Sequence, residues 1–71
     1  MMTRNEVQAI RDRYPAGTRL ELISMDDPYT RLQSGDIMVV DFVDDAGQIH
    51  GTWSNGSTLA LIPDEDYFRK I

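Results

Sequence analysis

Any catalysis in this chain would fall to one histidine and a scatter of hydroxyls and carboxylates. His50 with Asp44 or Asp45, and with Ser54 or Ser57, supplies the residue types of a hydrolytic triad. A triad also needs an oriented base, an oxyanion hole and a concave site, and no serine here stands in the glycine setting of a nucleophile elbow. The simpler expectation for His50 is a strand residue facing solvent. Carboxylates cluster at Asp26-Asp27, Asp44-Asp45 and Asp64-Glu65-Asp66, a pattern used for acid/base work, but each cluster sits where aspartate braces a turn. The chain has no cysteine, which excludes disulfides, thiolate metal sites and cysteine nucleophiles, and a lone histidine excludes a multi-histidine metal cluster. No segment has the spacing of a calcium loop, and the five glycines are too scattered to cradle a phosphate. The expectation is a protein that is not an enzyme and carries no cofactor or metal.

The residues left over suit recognition. Trp53 precedes an Asn55-Gly56 turn, and Tyr29 follows Pro28 in a loop of about twelve residues, Met25 to Asp36, long for so small a domain. A tryptophan at a strand end either anchors a ligand or closes a core. If Tyr29 and Trp53 converge they form a shallow aromatic groove suited to extended or proline-rich peptides, with Asp26, Asp27, Asp44 and Asp45 at its rim selecting basic ones. The expected site is therefore Asp26, Asp27, Tyr29, Trp53 and Asn55, and the expected partner another protein or peptide. An exposed edge strand would allow a weak dimer beside the monomer.

Charge bears on the choice of partner. Residues 1 to 20 hold four arginines against Glu6 and Asp12, residues 21 to 68 hold ten acids against Arg31 alone, and Arg69 and Lys70 follow, for a net charge of −5. The acidic middle repels a polyanion, so direct duplex binding is disfavoured. The second function class weighed is nucleic-acid-associated: RNA binding through Arg4, Arg11, Arg13 and Arg19, or an acidic surface that occupies a DNA-binding protein. Nothing reads as a membrane span or a signal peptide, and the expected location is the cytoplasm.

The elements that must hold these residues follow from local pattern. At 71 residues and 41% hydrophobic content the chain supports one core and one domain. Thr3 and Glu6 have capping-box spacing, and Val7, Ile10 and Tyr14 recur on one helical face before Pro15 and Gly17, which predicts a helix over about residues 4 to 13. Strands are expected at 18–24, at 37–43 with Val40 and Phe42 on one face, at 48–53, at 58–62 after the Asn-Gly turn, and at 67–71. Pro63 opens a single helical turn between the last two. The expected fold is mainly β: a small SH3-like barrel of about five strands over 17–71, with an N-terminal helix within 3–14 and a one-turn helix before the last strand. An open three-stranded sheet crossed by the helix is the alternative.

Several segments in register carry a family resemblance: Tyr14-Pro15-Ala16-Gly17-Thr18-Arg19, Met25-Asp26-Asp27-Pro28-Tyr29-Thr30, Val43-Asp44-Asp45-Ala46-Gly47-Gln48-Ile49-His50 and Trp53-Ser54-Asn55-Gly56-Ser57. From Arg11 to Ile71 the chain resembles the bacterial family catalogued as domain of unknown function 4314. The resemblance implies an SH3-like barrel, often encoded on mobile elements of Gram-positive bacteria, and brings no activity or catalytic residue with it. The sequence departs from the family pattern at Met38 and Val39, where a glycine-containing turn is usual, and at Gly51, where a β-branched residue is usual.

Overall fold

The computed structural model describes residues 2–25 and 31–71. Helix α1 spans Arg4–Arg13 and begins on the anticipated box: Thr3 Oγ1 accepts the Glu6 N–H at 3.2 Å and Glu6 Oε1 accepts the Thr3 N–H at 3.1 Å. It stops at Tyr14, whose backbone (φ −126°, ψ 67°) has left helical geometry ahead of Pro15.

Four strands follow, β1 (Arg19–Ser24), β2 (Ile37–Val43), β3 (Ile49–Trp53) and β4 (Tyr67–Lys70). They form one antiparallel sheet in the order β3-β2-β1-β4, with β1 paired to both β2 and β4. One face collects Leu20, Leu22, Met38, Val40, Val43, Ile49 and Trp53, and Leu32 and Leu61 join the same core. Val7 closes it from α1, with Met2, Ile10, Tyr14 and Phe68 packed around the rim. Among the described residues no helix is long and apolar enough to cross a membrane.

Two expectations need correction. In β2 the register shifts between Val40 and Phe42, so Val40 and Val43 both face the core while Phe42 turns outward and is 56% exposed. Phe42 and Val40 therefore do not share a face, because the shift inverts the alternation beyond it. Residues 58–62 are not a strand either. Their pairing is a single bridge, Ile49 to Leu61, with reciprocal N–H···O bonds of 2.9 Å. The Leu59 carbonyl accepts the Trp53 indole N–H at 2.7 Å, and the Leu59 N–H donates to Ser57 Oγ at 3.3 Å, so side chains take the groups a ladder would use. Residues 63–65 make a turn, closed by the Asp66 N–H donating to the Ile62 carbonyl at 2.8 Å.

The helix is fastened to the sheet at the β2–β3 turn. The Arg11 guanidinium donates to the Val43 carbonyl at 3.1 Å and to Asp45 Oδ1 at 2.8 Å. Gly47 lies beneath Met2 and Ile10 with φ +82°; a side chain here would meet the Met2 sulfur and force a left-handed backbone, so glycine serves both needs.

Candidate functional site

Two of the predicted site residues, Trp53 and Asn55, lie among the described residues. Trp53 is 2% exposed and lies in the core, where its indole N–H is satisfied by Leu59; no ring face is left for a ligand. Asn55 folds its side chain onto its own turn, Oδ1 accepting the Ser57 N–H at 2.9 Å. Asp26, Asp27 and Tyr29 lie outside the described residues.

His50 is not the free solvent-facing residue that alternation suggests. Its Nε2 lies 2.8 Å from Asp44 Oδ2, and its ring stacks on Phe42 with centroids 4.6 Å apart and 7° between planes. The other Asp44 oxygen accepts the Ala46 and Gln48 N–H groups at 3.0 and 2.9 Å. Burial works against the Asp44 carboxylate, but the hydrogen bonds from His50, Gln48 and Ala46 outweigh it and hold its pKa below the usual carboxylate value. Asp44 thus takes Nε2, the nitrogen that triad chemistry keeps for the nucleophile, and both serines are occupied with backbone. Ser54 Oγ accepts the Ile37 N–H at 3.3 Å, and Ser57 Oγ the Leu59 N–H. Among the described residues no group of three or more His, Asp or Glu is placed to hold a metal ion.

The surface features that do converge surround Tyr14, at the end of α1. Tyr14 meets Phe68 edge-on, with centroids 5.6 Å apart at 63°, and the Lys70 ammonium lies 5.3 Å from the Tyr14 centroid. Tyr14 lines an open cleft of about 300 Å³ whose walls include Arg13, Ile23, Pro63, Tyr67 and Phe68. It also lines a cleft of about 210 Å³ formed with Arg11, Pro15, Ala16 and Phe42. Tyr67 is 68% exposed, so each cleft includes one exposed aromatic ring, Tyr67 in the first and Phe42 in the second. A third cleft, about 400 Å³ between Arg4, Gln8, Arg11 and Asp45, lacks aromatics and is walled by the Arg11–Asp45 ion pair.

Local structure explains the arrangement. Pro15 stops the helix at Tyr14, the β2 register shift turns Phe42 outward, and Ile23 is the extra residue in β1 between the Leu22–Phe68 and Ser24–Tyr67 pairs. Sequence reading places Tyr14 on the helix stripe and Tyr67 in the last strand without joining them. The available signal is that Tyr14 and Tyr67 each stand at an element boundary, one before Pro15 and the other before Phe68.

No curated protein matches the chain, and no solved structure does. The family described as Domain of unknown function (DUF4314) matches residues 3–71, essentially the whole chain, and the protein belongs to that family.

Proposed function

We propose that this protein is a non-catalytic recognition module that binds an extended segment of another protein across Tyr14. The observation that carries the proposal is that Tyr14 lines two open clefts, the first together with Tyr67 and the second together with Phe42. In an extended chain, residues i and i+2 point the same way about 6 to 7 Å apart, which suits two shallow depressions that share a wall residue. Both clefts are open, and at about 300 and 210 Å³ they lie at and below the lower end of the pockets that enclose small molecules, typically about 300–1,000 Å³ with most of the ligand buried. Apolar and proline side chains are the natural occupants.

The loop from Met25 to Asp36 belongs to the same proposal. It follows β1 in sequence, and Ile23 of β1 lines the first cleft; Asp26, Asp27 and Tyr29 lie outside the described residues. In this reading Trp53 and Asn55 act indirectly, by fixing the core and the 53–57 turn. An SH3-like barrel, with one bridge standing where a fifth strand is expected from the sequence, is the fold that goes with it. Supporting this are the Ile49–Leu61 bridge, which adds a rung beyond β3, and the 63–65 turn that leads into β4. A cytoplasmic setting completes the proposal and suits a chain without cysteine.

The test is selection of random linear peptides displayed on phage against the wild-type protein, Tyr67→Ala and Phe42→Ala. Enrichment on the wild type that is lost in either variant, with Trp53 emission unchanged, is the expected result. Peptides that bind both variants as well as the wild type would refute the site.

A further inference from the structure

The cations of this acidic protein gather where the clefts are. Arg13 lines the first cleft, Arg11 lines the second, and Lys70 sits over the ring of Tyr14, which lines both. Three of the seven basic side chains thus surround one tyrosine in a chain of net charge −5. Arg11 is engaged by Asp45 at 2.8 Å, whereas Arg13 and Lys70 form no ion pair among the described residues. The acid facing the first cleft, Asp66, is buried to 8% exposure, and its Oδ2 is occupied by the Ile62 N–H at 2.7 Å.

The acids that would have favoured a basic ligand are in part already neutralised within the fold. Asp44 is held by His50 and two backbone N–H groups, and Asp45 by Arg11. The positive ends are long, exposed side chains, which keep their charge in water until a partner arrives.

Resting on the reading of the clefts as a peptide site, we propose that the bound segment is acidic: a linear peptide whose Asp or Glu carboxylates meet Arg13 and Lys70 while its proline or aliphatic side chains fill the depressions beside Tyr14. This reverses the preference that the Asp26-Asp27 pair suggests from sequence. Two exposed ion contacts, each worth about two- to fivefold in affinity, give such a peptide roughly tenfold over a neutral one, a gain that salt screens away.

The experiment uses two capped heptapeptides, Asp-Pro-Leu-Asp-Pro-Leu-Asp and its counterpart with lysine at each aspartate. Each is titrated into isotope-labelled protein while the backbone amides of Tyr14, Phe42 and Tyr67 are followed by NMR. The expected result is shifts at these amides with the acidic peptide bound about tenfold more tightly, an advantage that falls in high salt and inverts in the Arg13→Glu, Lys70→Glu double variant. Arg4→Glu, which removes a cation from the other flank of the helix, should leave the preference in place. Equal binding of the two peptides at the clefts, or preference for the lysine peptide, would overturn the acidic ligand and leave the peptide site standing. A loss in Arg4→Glu as large as in the double variant would also overturn it, since overall charge would then be the cause. Failure of both peptides to shift the cleft amides would overturn the ligand and the site together.

Discussion

Gly51→Ala should be costly even though it is a small change at a position with no left-handed backbone requirement. Gly51 is buried in β3 opposite Val40, and a methyl group built there would collide with the Val39 carbonyl oxygen and stand 2.7 Å from Met38 Cγ and 2.9 Å from Met38 Sδ. The methionine has three rotatable bonds and can yield; the carbonyl belongs to β2, whose Val39 is paired to Thr52, and can move only with the ladder. Against the clash stands a gain of about 0.4–1 kcal/mol from a less flexible unfolded chain. Overpacking in a tight core costs about 1–3 kcal/mol, so the net expectation is a loss of about 1.3 kcal/mol, or roughly 5–10 °C in melting temperature for a domain of this size. Trp53 is the chain's single tryptophan and is buried, so its emission reports the melt directly. A Gly51→Ala protein that melts at or above the wild-type temperature would refute the reasoning.

Two further outcomes follow. The Asp44 carboxyl titrates below its ordinary value in the folded protein, so its contribution is fully present above the unfolded-state pKa and is lost as pH falls through the folded one. Asp44→Asn should therefore lower the unfolding free energy from urea titration at pH 7 by about 1 kcal/mol for the hydrogen bonds weakened, and differ little from wild type near pH 2; a difference of equal size at both pH values would contradict this. Trp53→Phe should lose about 1–3 kcal/mol by circular dichroism melting, from the unpaired Leu59 carbonyl and the volume removed, while folded protein keeps its capture of the selected peptides. A stable variant that no longer captures them would return Trp53 to the binding surface.

The parts of the fold that were legible in the sequence are those fixed by neighbours along the chain. The capping box and Pro15 bound α1 at Arg4 and Arg13, and the turns at Asp44-Gly47 and Asn55-Gly56 bound β2 and β3. Long-range choices were not legible. Alternation cannot reveal a register shift, which is how Phe42 came to be placed inside, and it cannot know that the Trp53 indole takes a carbonyl that a strand at 58–62 would have needed. The site was missed for a related reason: Tyr14 and Phe68 lie near opposite ends of the sequence and meet only when β4 docks beside β1. Trp53, the most conspicuous residue in the sequence, is spent on the core.

The position of β1 between β2 and β4 has a consequence for how the protein is made. During synthesis α1, β1, β2 and β3 all precede β4, so the second edge of β1 stays bare until residues 67–70 have left the ribosome and can pair with Leu20, Glu21 and Leu22. Until then the nascent domain presents an open strand edge and part of its apolar face, the condition under which unfinished chains associate with one another. The same strand brings Tyr67, Phe68 and Lys70 to Tyr14, so the cleft walled by Tyr14, Tyr67 and Phe68 forms only once β4 has docked, and a ribosome-bound fragment lacking β4 has no such cleft to offer.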